Sequence, residues 1–233
     1  MLNFNLDPRP YRDIFVRERR LQIRNILQQE AADAVQACLR DEVPWTLAYH
    51  QDDRSQTLPT QQYATMDEAA RQRLLVDLAL QARGRYGFAY ESFQMVKAYT
   101  EATSPDLLLH RVLEYLNSDE FLLFARTITG IPSIRRVSAQ GTRYRPGHFL
   151  RLHSDLEISE GRVAAYVINL TPRWASDWGG LLQFHNPDDS IAQTFYPYWN
   201  TLSLFRVPQQ HSVSGVMPYA EGSRLSITGW FQE

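Results

Sequence analysis

The pattern of apolar and polar positions along the chain changes near residue 131. In the first half, apolar residues recur at helical spacing, at residues 28–43, 65–84, 104–118 and 118–131. Two stretches alternate between apolar and polar residues and predict strands, at residues 19–27 and 87–100. We expect the first of these strands at a sheet edge. The polar residues 50–66 predict a mobile loop.

The ends of several predicted helices are marked by residues that cap helices. Thr65 followed by Glu68 is a capping-box pattern, so a helix is expected to start after Thr65. Ser104 is the predicted cap of the next helix, and Ser118 is the predicted cap of the one after it. Gly130 is expected to end that last helix.

The second half of the chain is predicted to be a β structure. After Ile131, short alternating stretches are rich in aromatic and β-branched residues, and turn residues separate them. This pattern is typical of an antiparallel sandwich or barrel, including the jelly roll. A β core of about a hundred residues with one open face needs helices to cover it. We therefore predict an α+β fold in one domain, 1–233, with a mainly helical flanking part, 1–131, and a β core that carries the site, 132–233.

Composition and charge describe an ordinary globular protein. Of the 233 residues, 44% are hydrophobic and 21% are charged. The formal net charge of −2 offers no electrostatic attraction to nucleic acid or anionic lipid, so we expect neither a nucleic-acid nor a membrane partner. The single cysteine, Cys38, cannot form an internal disulfide. With no signal-peptide pattern at the N-terminus, the expected location is the cytoplasm.

His153 and Asp155 are the first candidates for chemistry. The stretch FLRLHSDLEI, Phe149 to Ile158, alternates like a strand, which puts His153 and Asp155 on one face. An imidazole and a carboxylate placed in this way can bind one metal ion together with a third ligand. Two histidines and one carboxylate leave the open positions that a non-haem Fe(II) oxygenase requires.

The third ligand must come from the remaining histidines, which are His50, His110, His148, His185 and His211. His110 falls within a predicted helix and His50 within the polar stretch. His148 lies beside a turn, one position out of phase with the alternation. His211 begins a short predicted strand far along the chain, and His185 remains a competitor.

Arg224 predicts an anion site. The stretch RLSITGWF places Arg224, Ser226, Thr228 and Trp230 on one face of a strand. An arginine directed into a β core needs an anionic partner, because an unpaired buried charge is very costly. A dicarboxylate such as 2-oxoglutarate could chelate iron at one end and meet Arg224 at the other.

Taken together, the His-x-Asp pair, the distal histidine and the following arginine strand resemble the Fe(II)/2-oxoglutarate-dependent dioxygenase superfamily. Within it, the chain is most similar to the prolyl-4-hydroxylase-like branch, which includes hypoxia-sensing and ribosomal-protein prolyl hydroxylases. The resemblance covers residues 134–231 and implies a double-stranded β-helix, a distorted jelly roll, flanked by the N-terminal helices. It implies Fe(II), 2-oxoglutarate as co-substrate, O2, and ascorbate as reductant.

The resemblance also implies roles for individual residues. His153, Asp155 and His211 would be the iron ligands, with no catalytic residue beyond them. Arg224 would bind the distal carboxylate of 2-oxoglutarate. Tyr144 corresponds to the family's tyrosine ahead of the His-x-Asp strand, which also reaches that carboxylate.

Two further positions belong to the expected co-substrate site. Asn169 falls where relatives often carry a second tyrosine, so this chain departs from the family pattern there. Ser226 is expected to face the same pocket because it alternates with Arg224 along the strand.

The expected reaction is hydroxylation of a prolyl residue in a protein or peptide, with release of succinate and CO2. Arg162 and Trp230 match positions that line the substrate entrance in relatives. The alternatives are hydroxylation of a free amino acid or another small molecule on the same scaffold, and a protein-binding module without catalysis. A cupin-like metal protein that does not use 2-oxoglutarate is a further alternative, which Arg224 argues against.

Overall fold

The computed structural model describes residues 1–3 and 5–233, and it describes the backbone but not the side chain of Thr60. The helices of the described residues are α1 (Arg9–Glu18), α2 (Gln29–Asp41), α3 (Thr60–Thr65), α4 (Glu68–Gln81), α5 (Met95–Thr100), α6 (Leu108–Leu116) and α7 (Asp119–Thr129). The strands are β1 (Arg20–Arg24), β2 (Thr46–Gln51), β3 (Arg54–Leu58), β4 (Phe88–Phe93), β5 (Arg136–Val137), β6 (Gln140–Tyr144), β7 (Phe149–His153), β8 (Arg162–Asn169), β9 (Leu182–His185), β10 (Ile191–Phe195), β11 (Thr201–Arg206), β12 (His211–Val213) and β13 (Arg224–Gln232). A short 3₁₀ turn, Ile158–Glu160, precedes β8.

All these strands join one antiparallel sheet that folds back on itself. The order is β1-β11-β8-β13-β6-β4-β7-β12-β9-β10, with β2 beside β4, β3 beside β2 and β5 beside β13. The fold turns at β4, which pairs with β6 through one end and with β7 through the other. The two halves of the sheet therefore face each other around a cavity. The predicted α+β fold with a jelly-roll core is confirmed.

The main hydrophobic core lies between the outer face of the sheet and the helices. Along β13, Leu225, Ile227 and Phe231 enter this core, where Phe231 meets Phe121 of α7. Alternation along the strand sends the intervening side chains to the opposite face, which lines the cavity. None of the helices in the described residues has the length and hydropathy needed to cross a bilayer.

Residues 1–131 contribute strands as well as helices. The predicted edge strand is confirmed as β1, which pairs only with β11 within the described residues. The stretch 87–100 was predicted as a strand throughout, and this is wrong for its second half, which forms α5. The predicted loop over residues 50–66 is also wrong, since it contains the end of β2, all of β3 and α3. Both errors arise because pairing and packing override local polarity.

Of the three predicted N-terminal helix caps, two are wrong and one is confirmed. The helix after Thr65 begins at Glu68, because Asp67 accepts a hydrogen bond from the Ala70 amide at 2.7 Å and Thr65 ends α3. Ser104 has a left-handed φ of 49°, and α6 begins only at Leu108. By contrast, the Ser118 side chain caps α7 as predicted, and Gly130 ends that helix in the left-handed conformation.

The capping assignment can be tested by comparing Asp67→Ala with Thr65→Ala. Loss of the Asp67 carboxylate removes an acceptor from the first turn of α4, so the free energy of unfolding should fall by about 1 kcal/mol. Urea denaturation measures this change. Thr65→Ala should change stability by clearly less, and an equal or larger effect of Thr65→Ala would contradict the assignment.

Candidate metal centre

The candidate metal centre lies where β7 meets β12. These strands pair antiparallel, and the register sets His153 directly opposite His211, with ring centroids 4.1 Å apart. Asp155 follows the end of β7, and its carboxylate lies 3.1 Å from His153 Nε2 and 3.4 Å from His211 Nε2. One ligand atom from each of the three residues lies within 4.8 Å of the others.

Asp155 reaches this position by a route that differs from the prediction. The expectation that Asp155 continues the strand beyond His153 is wrong, because β7 ends at His153. Asp155 instead has a left-handed φ of 59°, a conformation that aspartate tolerates better than most residues. This local turn brings the carboxylate alongside both imidazole rings.

Hydrogen bonds orient both imidazole rings for metal binding. The Nδ1 atom of His153 lies 2.9 Å from the Arg151 carbonyl oxygen, and Nδ1 of His211 lies 2.9 Å from the Gln209 carbonyl oxygen. Because a carbonyl only accepts, each Nδ1 must carry the proton, which leaves the Nε2 lone pair directed at the centre. This support of the non-ligating nitrogen is usual for histidines that bind metals.

The third group of the centre is held in its ionised form. Burial raises the pKa of Asp155, but contacts with His153 and His211 outweigh burial and hold the pKa below its usual range. Two imidazole nitrogens and one carboxylate with open space around them suit a divalent ion such as Fe(II). The donor set therefore fits the metal that the sequence pattern implies.

The structure brings His211 to Asp155 and places the other histidines elsewhere. His185, the competing candidate, points its Nε2 at the Ser212 hydroxyl, 2.8 Å away, and lines a separate groove. His110 contacts the Thr103 carbonyl oxygen from α6. His148 and His50 also stand outside the group of ligand atoms.

Arg224 lies in the same cavity as the three candidate ligands. Only 3% of its surface is exposed. It donates hydrogen bonds to the Gly180 carbonyl oxygen at 2.7 Å and to Asn169 Oδ1 at 3.3 Å, while its Nε has no partner. Burial lowers the pKa of Arg224, and no carboxylate of the described residues forms an ion pair with it. A buried guanidinium with unused donors is suited to binding an anion.

Asn169 and Ser226 take different places around this arginine. Asn169 pairs with Ser226 across β8 and β13 but is not among the residues that line the cavity. Its side chain accepts a hydrogen bond from Arg224 and donates weakly to the Thr201 carbonyl oxygen and the Ser203 hydroxyl, both at 3.3 Å. Ser226 does line the cavity, and its hydroxyl lies 2.8 Å from that of Thr142. In this structure Asn169 is therefore a support for Arg224.

Tyr144 and an aromatic wall complete the cavity, whose volume is about 630 Å³. Tyr144 stacks on Tyr90 with a centroid distance of 5.1 Å, and Arg224 lies 5.4 Å from the centre of the Tyr144 ring. Burial raises the pKa of Tyr144, so the hydroxyl stays protonated and can donate. Tyr86 and Tyr90 also belong to this wall and were not predicted from the sequence. The aromatic residues at every second position of the stretch YGFAY, Tyr86, Phe88 and Tyr90, were an available signal.

Arg162 and Trp230 meet at the rim of the cavity. The Arg162 guanidinium stacks 3.7 Å from the centre of the Trp230 ring and forms an ion pair with Glu160 at 2.8 Å. Both residues line the cavity, and the indole Nε1 of Trp230 is buried without a partner. The rim therefore offers a flat aromatic and cationic surface beside the candidate metal centre.

Comparison with known proteins identifies one matching family in the region of this cavity. Residues 139–232 match the family described as the 2OG-Fe(II) oxygenase superfamily. The matched region contains all three candidate metal ligands and Arg224.

Two curated proteins show sequence similarity beyond the matched region. The chain is 30% identical over 161 residues to prolyl 3-hydroxylase OGFOD1 of Mus musculus, covering 66% of this chain and 28% of that protein. It is 31% identical over 129 residues to the Xenopus laevis prolyl 3-hydroxylase OGFOD1, covering 52% and 24% respectively. The chain thus spans about a quarter of the length of these relatives.

Solved structures share the fold at lower sequence identity. A prolyl-4-hydroxylase from Pseudomonas putida superposes with a TM-score of 0.59 at 18% identity, covering 97% of this chain and 99% of that one. A prolyl hydroxylase from Trichoplax adhaerens, solved with a hypoxia inducible factor peptide fragment, gives a TM-score of 0.62 at 16% identity. That match covers 94% of this chain and 86% of the other.

The choice between His211 and His185 as third ligand can be tested by metal binding. His211→Ala should weaken Mn(II) binding by about a hundredfold or more, because loss of a ligand costs more than loss of its outer support. Titration followed by electron paramagnetic resonance measures the affinity, with Mn(II) standing in for oxygen-sensitive Fe(II). His185→Ala is the matched control and should bind as the wild type does. The reverse ranking would exclude His211.

Proposed function

We propose that this chain, whose residues 139–232 match the 2OG-Fe(II) oxygenase superfamily, is an Fe(II)- and 2-oxoglutarate-dependent dioxygenase that hydroxylates a prolyl residue of a protein or peptide. The names of the curated relatives and of the structural neighbours support the prolyl assignment. The reaction would consume O2 and release succinate and CO2, with ascorbate as reductant. A reduced, buried Cys38 is compatible with action in the cytoplasm.

The observation that carries this proposal is the pairing of two sites in one cavity. His153, Asp155 and His211 form one site, and the buried Arg224 forms the other. A metal-binding protein that used no anionic co-substrate would have no reason to bury an arginine without a carboxylate beside its metal. A co-substrate with one metal-binding end and one carboxylate end satisfies both sites.

Each residue of the cavity has a role in this proposal. His153 Nε2, the Asp155 carboxylate and His211 Nε2 would hold Fe(II), which when bound together with 2-oxoglutarate supplies the oxidation of an unactivated C–H bond by O2. Arg224 would bind the distal carboxylate of 2-oxoglutarate through its unused donors. The protonated Tyr144 hydroxyl would donate a further hydrogen bond to that carboxylate.

The remaining side chains position the groups and exclude water. Asn169 would fix the plane of the Arg224 guanidinium by accepting its hydrogen bond. Ser226 would add a polar contact to the co-substrate from the same strand. On the substrate side, the stacked Arg162 and Trp230 would contact the polypeptide near its prolyl residue.

The role of Arg224 can be separated from metal binding by the substitution Arg224→Ala. The affinity for 2-oxoglutarate should fall by about a hundredfold or more, because losing one partner of a buried ion pair costs about 3 kcal/mol or more. Isothermal titration of the Mn(II)-loaded protein measures this affinity. Mn(II) binding should persist, which also reports that the variant is folded. Arg162→Ala is the control and should bind 2-oxoglutarate as the wild type does. Undiminished affinity in Arg224→Ala would exclude the co-substrate assignment.

The reaction itself can be tested by succinate formation with Fe(II), ascorbate, O2 and 2-oxoglutarate, with and without a panel of proline-containing peptides. We expect succinate to rise with at least one peptide, and mass spectrometry to find one added oxygen on its proline. His153→Ala should abolish both signals.

Two other outcomes would contradict the proposed substrate or the proposed class. Slow succinate formation without any response to peptides would favour a free amino acid or another small molecule. Absence of succinate, together with absence of metal and 2-oxoglutarate binding, would favour a protein-binding module without catalysis.

A further inference from the structure

The strand β3 leaves one edge of the sheet open beside the cavity. Among the described residues, β3 pairs only with β2, and the five pairs from Leu47↔Leu58 to Gln51↔Arg54 run without a register shift. Four of its five residues are exposed. Open, regular strand edges are uncommon in folded proteins because they can pair with another chain.

The hairpin geometry identifies which backbone groups face outward. Asp52 and Asp53 form a two-residue turn with φ values of 51° and 57°, so the closing pair Gln51↔Arg54 exchanges backbone hydrogen bonds. Hydrogen bonding alternates along an antiparallel pair. The N–H and C=O groups of Ser55 and Thr57 therefore point away from β2, towards the open edge.

The same alternation directs the side chains of the outward-bonding residues to the cavity face of the sheet. Ser55 lines the cavity that contains the three candidate metal ligands. Its cross-strand partner His50 contacts the cavity residues Tyr86 and Phe88, with centroid distances of 5.0 and 5.9 Å. The open edge is thus continuous with the wall of the candidate active site.

The opposite face of the hairpin is anchored to the body of the protein. Leu47 packs in a hydrophobic cluster with Leu75 and Leu78 of α4, and Leu58 packs against the same cluster. Tyr63 of α3 also donates a hydrogen bond to the buried Glu91 of β4 at 2.9 Å. The hairpin is therefore held in place, and the open edge of β3 has a fixed position beside the cavity.

We propose that a segment of the polypeptide substrate, next to the target proline, adds to the open edge of β3 as an extra strand. This inference rests on the proposed function and names its substrate class as an extended polypeptide. Main-chain hydrogen bonds to Ser55 and Thr57 bind the segment, as in other cases of strand addition. Proline itself has no N–H, so the residues that pair with β3 are neighbours of the target proline in the polypeptide. Their docking directs the target proline into the cavity.

The edge is suited to this role by its composition. The β3 sequence RSQTL is short and polar, which limits association between copies of the protein, and it contains no proline or bulge that would block pairing. Neighbouring strands lie about 4.8 Å apart, and three such spacings separate β3 from β7, which carries His153. A free amino acid at the metal centre is therefore too short to reach the outward N–H and C=O groups of Ser55 and Thr57.

The first test compares peptide length in Thr57→Pro and Thr57→Val. The probes are the shortest proline-containing peptide that stimulates succinate formation and the same peptide lengthened by six residues at each end. In the wild type and in Thr57→Val, lengthening should lower KM by about tenfold, the equivalent of one or two net hydrogen bonds. In Thr57→Pro, which lacks the outward N–H but keeps the pairing with β2, lengthening should have little effect. An equal length effect in all three proteins would overturn the proposal.

A second measurement uses only the wild-type protein, so it does not depend on the folding of a variant. Amide hydrogen exchange is followed by NMR in the metal-free protein, because Mn(II) would broaden the signals. Two samples are compared, one with the long peptide and one without it, and neither contains 2-oxoglutarate. Exchange at Ser55 and Thr57 should slow by about tenfold or more, whereas Gln56, whose N–H already bonds to β2, should change little. Unchanged exchange at Ser55 and Thr57 at a saturating peptide concentration would overturn the proposal.

The outcomes separate this inference from the proposed function. Hydroxylation of a peptide without a length effect and without protection of β3 would contradict strand addition alone. If no peptide is hydroxylated and only a small molecule is turned over, the proposed substrate class and strand addition are both wrong.

Discussion

The register between β7 and β12 is the constraint on which the candidate site depends. It sets His153 opposite His211, although the two residues are distant in the chain. A slip of one residue would turn either imidazole to the other face of its strand. Although β12 contains only three residues, it pairs with β7 on one side and β9 on the other, so its register is held from both sides. The hydrogen bonds from the two Nδ1 atoms to carbonyl oxygens then fix the ring orientation.

The second requirement of the site is the buried positive charge of Arg224, whose removal from water costs free energy. Arg224 opens β13, which is held between β6 and β8 and sends alternate side chains into the core and the cavity. The core face contributes hydrophobic burial, and the cavity face contributes Arg224 and Ser226. Gly180 and Asn169 satisfy part of the guanidinium. In the proposed function, the carboxylate of the co-substrate would satisfy the unused donors and would offset the cost of burying the arginine.

The N-terminal half does more than cover the β core. Through β4, which pairs with both halves of the sheet, it closes the fold around the cavity. It also supplies the aromatic wall, where Tyr86 lies 5.9 Å from the ring of His153 and Tyr90 stacks on Tyr144. The hairpin of β2 and β3 extends the same wall to an open edge. The walls of the cavity therefore include parts of the chain outside the family match at 139–232.

Local pattern alone was sufficient to predict the α+β class, the short strands after residue 131 and the alternating faces of β13, because side-chain alternation is a property of the strand itself. The same holds for the caps at Ser118 and Gly130, which act within one helical turn. Only the tertiary structure decided that His211, not His185, lies beside Asp155, because strand pairing between distant segments sets that contact. It also decided that Asp155 leaves the strand, that Asn169 accepts a hydrogen bond from Arg224, and that residues 50–66 contribute to a hairpin and a helix. These features depend on packing and pairing partners that no local stretch of sequence contains.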